Sequence, residues 1–129
     1  MKKIIAFFVL ITFVFMLVGC GASFSKSYYD EVSSYVAEHK SSISPSSDIE
    51  YFFYDTIDDT NENTYYGYYY SKNDHVVPCE QDKMSLSKTY TEGDGGYYFG
   101  EVSDTSDWCF VKKIENNWYY FETHDYIYN

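Results

Sequence analysis

The chain has 129 residues, with 9 Lys, no Arg and 20 acidic residues, and its formal net charge is −11. This length fits one domain, and the charge excludes a protein that reads nucleic-acid phosphates with clustered Lys and Arg. Aromatic residues make up 22% of the chain, including 17 Tyr, which excludes a disordered acidic tail. A small, acidic, Tyr-rich globular domain remains.

The N-terminus predicts export. Lys2 and Lys3 precede an uncharged run at residues 4–19, which is shorter than the roughly 20 apolar residues of a membrane-spanning helix. The run ends in Leu17-Val18-Gly19-Cys20, which resembles the lipobox of bacterial lipoproteins. The resemblance implies cleavage before Cys20, lipidation of its thiol with palmitate-type chains, and anchoring on the outer side of the bacterial cell membrane. A plain membrane anchor and an ordinary secretory signal are the alternatives.

These features divide the chain into three parts. We predict a signal peptide at residues 1–19, a lipidated Cys and short tether at 20–26, and one domain at 27–129. Loss of the leader removes 2 Lys and leaves 7 against 20 acids, so the mature chain carries −13 and keeps every Tyr. Anionic lipid should repel such a domain, so we expect it to lie close to the membrane but turned outward.

A helix is predicted from Ser27 to about Lys40, with Ser27 and Asp30 as a capping pair at its start. One face of this helix carries the periodic residues Tyr28, Val32, Tyr35, Val36 and His39. The face either covers a sheet or binds a partner. We favour the sheet, because an apolar face needs a surface that buries it.

After a loop at residues 41–47 the hydrophobic period changes to two. Extended segments are predicted at residues 49–57, 65–72, 75–79, 84–91, 97–102, 108–115 and 118–126. A polar turn at 58–64, a Gly-rich turn at 93–96 and Asn116-Asn117 connect several of them. The predicted fold is α+β, one helix packed on an antiparallel β-meander of five or six strands. This layout is similar, by analogy, to cystatin-like or nuclear-transport-factor-like folds.

Aromatic residues occupy both faces of several predicted strands. Tyr suits a half-buried sheet, so sheet formation is the first explanation. The alternative is an exposed aromatic platform that binds sugar rings, a peptide or a partner protein. The candidate ligand-binding residues of such a platform are Tyr68, Tyr70, Trp118 and Tyr120.

Residues 112–121 resemble the hairpin of choline-binding and glucan-binding cell-wall repeats, in which a basic stretch, a tight turn and an aromatic cluster follow each other. Those modules need consecutive copies, because each aromatic cage forms between neighbouring hairpins. Residues 97–100 are an incomplete second copy without Trp.

Cys79 and Cys109 form an even pair in an exported domain, and this predicts a disulfide worth roughly 3–4 kcal/mol. Two free thiols are the alternative. With His75 and His124 the pair makes a nominal zinc set, but the spacing lacks the close ligand pairs of structural zinc sites. Residues 58–63 resemble the start of a calcium loop whose later ligands are missing, so a solvated hairpin loop is favoured. We therefore predict no metal and no cofactor.

No catalytic motif is present: the chain has no Gly-x-Ser-x-Gly elbow, no HExxH and no phosphate loop, so no catalytic residue is assigned. We expect a non-enzymatic binding or accessory module at the cell surface, whose partner is an envelope polymer or a protein. One alternative is an acidic structural or inhibitory lipoprotein that docks a basic partner protein. A carboxylate-based hydrolase is the least favoured alternative.

Overall fold

The computed structural model describes residues 23–78, 90–103 and 106–127. Within these residues one helix, α1 (Lys26–His39), and a short 3-10 turn (Lys40–Ser42) precede six strands. The strands are β1 (Ile49–Asp58), β2 (Glu62–Ser71), β3 (Tyr90–Gly93), β4 (Gly96–Gly100), β5 (Trp108–Glu115) and β6 (Trp118–Tyr126). The predicted α+β class is confirmed. The predicted pieces at residues 79–89 lie outside the described residues.

The helix begins earlier than the sequence predicts. Ser25, whose backbone is extended, accepts a hydrogen bond from the Tyr28 N–H through its Oγ at 3.3 Å. Asp30 does not act in the cap, because its carboxylate binds the Lys26 ammonium at 2.8 Å. The prediction that Ser27 and Asp30 cap the helix is therefore wrong, although the predicted apolar face is confirmed by the complete burial of Val32 and Val36.

The strands form one antiparallel sheet in the order β1-β2-β6-β5-β4-β3. The predicted plain meander holds only from β3 to β6, because β2 pairs with β6 and not with β3. The first seven residues of β6 are all buried, and a strand buried in this way needs a neighbour on each side to pair its backbone groups. The last strand of the chain therefore lies inside the sheet.

The hairpin turns show where local sequence was sufficient. Asp94 and Gly95 have positive φ angles of 53° and 75°, as a type I′ hairpin turn requires. In the second hairpin Asn117 has a positive φ of 72° next to a register shift between Lys113 and Glu115, so both predicted turns are confirmed. The polar turn predicted at 58–64 is shorter, since the Asp59 N–H donates to the Glu62 carbonyl at 2.9 Å and β2 starts there. Asn63, a residue of the calcium-like pattern, lies in β2 opposite Asp58.

Both faces of the sheet are packed. The helix side holds Val32, Val36, Tyr66, Tyr68, Trp108, Phe110, Trp118 and Tyr120, and the other side holds Tyr69, Phe99, Cys109, Val111, Tyr119 and Phe121. Val76 and Val77 pack against the second group, and the Tyr69 hydroxyl donates to the His75 carbonyl and accepts from the Val77 N–H, each at 3.2 Å. The chain therefore covers both aromatic faces.

The folded domain reaches further toward the N-terminus than predicted. Phe24 stacks on Phe110 with ring centroids 4.4 Å apart, and the Ser25 N–H donates to Glu122 Oε1 at 2.7 Å. Phe24 and Ser25, which lie in the predicted tether, therefore pack against the sheet. The predicted signal peptide and Cys20 lie outside the described residues. Among the described helices, none is both long and apolar enough to cross a membrane.

Candidate functional site

The four aromatic residues predicted as ligand contacts come together on the helix side of the sheet. Tyr70 and Trp118 have ring centroids 5.3 Å apart, and those of Tyr68 and Trp118 are 6.1 Å apart. Only 6% of Tyr68, 7% of Trp118 and none of Tyr120 is exposed, because α1 crosses them. The expectation that these three rings are exposed is wrong, and Tyr70 is half-buried.

Among the described residues, the large exposed apolar side chains lie on the two edge strands instead. Phe53 on β1 is 63% exposed and Tyr90 on β3 is 53% exposed. The other large exposed members are Ile49, Tyr54 and Ile57, all on β1. The surface that could bind a partner through apolar contacts is therefore centred on β1.

A groove of about 550 Å³ runs between α1 and β1. Its lining residues are Asp30, Glu31, Ser34, Tyr35 and Glu38 on the helix and Tyr54 on the strand. Residues 34 and 35 each lie three or four positions from both residue 31 and residue 38, which places the four on one stripe of α1. The hydrophobic periodicity places Tyr35 on the apolar face of the helix, so this stripe lies at the border of that face.

Tyr54 lies on the helix side of β1, as regular alternation from Phe52 on the same face predicts. The pairing register with β2 shifts between Phe53 and Asp55, so Tyr54 is the extra residue of a bulge. The extra residue leaves the next side chain on the helix side as well, since Asp55 Oδ2 accepts a hydrogen bond from the Tyr28 hydroxyl at 2.5 Å. The Tyr54 ring meets the Tyr35 ring edge-on at 5.6 Å, and the two rings form one wall of the groove.

The groove carries negative charge that, among the described residues, one cation offsets. Lys26 pairs with Asp30 at 2.8 Å, and this hydrogen bond raises the pKa of Lys26. Glu31 and Glu38 make no salt bridge with any residue that the structure describes. Two unpaired carboxylates beside two Tyr rings suit a cation, which gains both charge attraction and contact with an aromatic face.

A second polar cluster is buried beside the start of α1. His124 Nε2 lies 2.5 Å from Glu122 Oε2, and His124 Nδ1 contacts Glu62 Oε1. The imidazole also stacks on Trp108 with a centroid distance of 3.8 Å. Burial opposes protonation, but the hydrogen bonds and charges of the two carboxylates outweigh it and raise the pKa of His124.

Glu122 ties this cluster to the helix. Its side chain is completely buried, and Oε1 accepts hydrogen bonds from the Ser25 N–H at 2.7 Å and from the Tyr120 hydroxyl at 2.8 Å. A carboxylate at a helix N-terminus is favoured by the helix dipole. In the sequence, His124 is only a nominal zinc ligand. Glu122 gives no sequence signal of its role, because a single acid in an aromatic strand does not indicate burial.

The cluster resembles a hydroxyl–imidazole–carboxylate set, since Thr64 Oγ1 lies 3.5 Å from His124 Nδ1. The same hydroxyl donates to Glu62 Oε1 at 3.2 Å, and both imidazole nitrogens already contact carboxylates. An imidazole in that state cannot take a proton from Thr64, which is itself buried. The arrangement acts as a structural ion-pair network.

The nominal zinc set is split by the sheet. Cys109 is buried on the face opposite the helix, whereas His124 packs against Trp108 on the helix face. Among the described residues, no group of three or more His, Cys, Asp or Glu is placed to hold a metal ion. Cys79 lies outside those residues, so the bridge to Cys109 stays a prediction.

The α1–β1 groove is open to solvent, whereas the His124 cluster is buried. Openness favours the groove as the binding site. Comparisons of this chain with protein-family models, with curated proteins and with solved structures give no match.

Proposed function

We propose that this chain is an exported, lipid-anchored, non-enzymatic module that binds a basic partner protein through the α1–β1 groove. The observation that carries the proposal is the pair Glu31 and Glu38, which flank two Tyr rings and have no salt bridge to a described residue. A Lys or Arg side chain would lie between the carboxylates and against a ring. The charge of −13 on the mature chain would speed the encounter with a basic partner.

The lipobox-like segment supports the anchor, and the packing of Phe24 limits its reach. From Cys20 to Phe24 a fully extended chain spans at most about 14 Å. The start of α1 would therefore stay near the membrane. The groove then extends about 12 Å along the helix from Asp30 to Glu38, toward its C-terminal end.

The anchor is tested by metabolic labelling with a palmitate analogue. The wild-type chain is expected to take up label, and Cys20→Ala is expected to take up none. A Cys109→Ala variant is the control, because that thiol is buried within the sheet and should not affect labelling. Equal labelling of Cys20→Ala and wild type would refute lipidation at this position.

The groove is tested with the full-length chain in non-ionic detergent and a fluorescent decalysine peptide as the probe. Fluorescence anisotropy should show binding at about 0.01 M salt that weakens steeply at about 0.1 M, where the Debye length falls to about 10 Å. The double variant Glu31→Gln/Glu38→Gln is expected to bind at least about tenfold more weakly, a loss of roughly 1.4 kcal/mol.

The matched control removes the same charge elsewhere. Glu101 and Glu92 are exposed acids outside the groove, on the segment after β4 and on β3. The double variant Glu92→Gln/Glu101→Gln changes the net charge equally but leaves the groove intact. If both double variants lose the same affinity, attraction is only to net charge and the groove is not the site.

A second candidate function is the binding of an envelope polymer through exposed aromatic rings. Phe53 favours it, since its ring is mostly exposed and meets Tyr65 and Phe121 edge-on at 6.0 and 5.9 Å. Phe53→Ala is expected to abolish binding of solubilised wall glycan in a sedimentation assay, and Tyr90→Ala on the far edge is the control. Binding unaltered in Phe53→Ala would remove this candidate.

The likeness to cystatin-like or nuclear-transport-factor-like folds stays part of the proposal and rests on the order of elements alone. A shared layout would say nothing about the partner, because one fold serves many functions. The proposal therefore depends on the groove and not on the fold.

A further inference from the structure

The described part of the sheet ends at β1 on one side and at β3 on the other. β3 has only 4 residues, whereas β1 has 10. The outer side of an edge strand presents backbone N–H and C=O groups in a row, and these can pair with another extended chain. β1 is the edge long enough to hold one.

Local hydrogen bonds show which groups of β1 face outward. The Lys72 N–H donates to the Asp48 carbonyl at 2.8 Å, so by the alternation of antiparallel pairs the groups of Phe52 face β2 and those of Phe53 face outward. The outward carbonyl of Ile49 accepts from Ser47 Oγ at 2.6 Å, which agrees with this alternation.

Side chains thus occupy outward groups near the ends of β1 but not at its centre. Beyond the bulge, the Thr56 N–H donates to Asp55 Oδ1 at 2.8 Å. No side chain or loop that the structure describes binds the backbone of Phe53 in this way. The open stretch of the edge therefore lies beside the exposed Phe53 ring and the Tyr54 bulge.

The two faces beside this stretch differ in chemistry. On the helix side lies the acidic groove, with Glu31 and Glu38 about 10 Å apart along α1. On the other side lies the Phe53 ring. Side chains of an added strand point alternately to these faces and repeat on each face about every 7 Å, so long basic side chains two positions apart can reach both carboxylates.

We propose that β1 receives an extended segment of a basic partner protein as an additional strand, with Lys or Arg in the groove and apolar side chains against Phe53. This inference rests on the proposed function, since both use the groove. A second copy of this chain does not fit, because its own acidic groove and its charge of −13 would be repelled.

The test uses three peptides of about ten residues that alternate Lys and Val, binding to the full-length chain in detergent. One peptide is unmodified, one is N-methylated at every Val and one at every Lys. All three peptides have the same charge, but each N-methylated peptide lacks the backbone N–H donors along one of its two edges. In an antiparallel pair the residue opposite Phe53 shares its face, so methylation at Val is expected to weaken binding at least about tenfold.

Methylation at Lys is expected to change the affinity less than about twofold, since those donors point away from β1. If only the peptide N-methylated at Lys loses affinity, the result also supports strand addition, with the peptide parallel to β1. Equal affinity of all three peptides, or an equal loss of affinity in both N-methylated peptides, would overturn the proposed strand addition. If decalysine and the unmodified Lys-Val peptide bind but the strand-addition test fails, the groove remains the proposed binding site. If no basic peptide binds, the proposed function fails as well.

Protein variants give an independent readout. Phe53→Ser is expected to weaken the Lys-Val peptide about tenfold and to leave decalysine unchanged. Tyr90→Ser on the opposite edge strand is the matched control and should affect neither peptide. Equal effects of the two substitutions would overturn the assignment of β1, and far-ultraviolet circular dichroism confirms that both variants are folded.

Discussion

The substitution His124→Phe tests the buried ion-pair network most directly. Phe keeps a flat ring that can stack on Trp108, so most of the aromatic contact survives. It removes the cation and both imidazole hydrogen bonds, and the fully buried carboxylate of Glu122 then lies beside the Ser25 and Tyr120 donors without its ion-pair partner. Removing one partner of a buried ion pair costs about 3–5 kcal/mol.

A second substitution shows whether the uncompensated charge is the cause. Glu122→Gln in the same chain removes that charge, and the amide oxygen can still accept from the Ser25 N–H and the Tyr120 hydroxyl. The double variant is therefore expected to be more stable than His124→Phe alone, with a coupling free energy of about 2–3 kcal/mol. Glu62 contributes little to the loss, because its partly exposed carboxylate regains water.

The assay is urea unfolding of the full-length chain near pH 6, followed by the fluorescence of the two buried Trp residues. His75→Phe is the control, because His75 is exposed and its loss should change the free energy of unfolding by less than about 0.5 kcal/mol. A cost of less than about 1 kcal/mol for His124→Phe would refute a stabilising ion pair at this position. A double variant no more stable than His124→Phe alone would show that the uncompensated charge on Glu122 is not the cause.

Three further predictions concern stability. Gly67→Ala is expected to cost about 1–3 kcal/mol or more in chemical denaturation, since its Cβ would clash with the Phe52 backbone carbonyl oxygen and would lie 2.7 Å from the Phe121 ring. Burial lowers the pKa of His124, but the neighbouring carboxylates outweigh this effect and raise it. Protonated His124 therefore stabilises the fold fully below about pH 6.5, and this contribution is lost as the pH rises through the folded-state pKa. Urea unfolding of wild type and His124→Phe as a function of pH should show this loss. The Lys113 hydrogen bond lowers the pKa of Asp74 to about 2, so thermal unfolding should show Asp74→Asn less stable than wild type above about pH 4, with the difference vanishing toward pH 2.

Each of these predictions has its own control. Gly93→Ala should cost much less than Gly67→Ala, because the nearest atom to its Cβ belongs to Tyr98 at 3.4 Å; an equal loss would contradict the close-approach argument. A constant difference between wild type and His124→Phe at every pH would show that the charge on the imidazole is irrelevant. Asp74→Asn that stays equally destabilised near pH 2 would assign the effect to the Asn117 or Tyr119 hydrogen bond instead.

Much of the secondary structure could be predicted from the sequence. The hydrophobic period of about 3.6 located α1, and the period of two located β5 and β6 with their turn at Asn116-Asn117. The predicted cap at Ser27 was wrong because two candidate Ser residues, Ser25 and Ser27, lie close together. The choice between them depends on Phe24, whose packing on Phe110 positions the chain before the helix.

The candidate site could not be predicted in the same way. The groove needs the position of α1 across the sheet, and this position leaves no local signal. The order of strands also depends on distant residues, since β2 reaches β6 only after the intervening strands are placed. Long-range pairing follows from total burial, which no short window of sequence contains.

The sequence by itself determined the charge, the acidic surface, the helix and most strand positions, because these follow from composition and from periodicity over a few residues. Only the tertiary structure decided which aromatic rings are exposed. Alternation assigns residues to two faces but does not say what covers them, and here α1 covers one face while Val76 and Val77 pack on the other. The exposed ring of Phe53 and the acidic groove therefore meet at the β1 edge, where that cover ends.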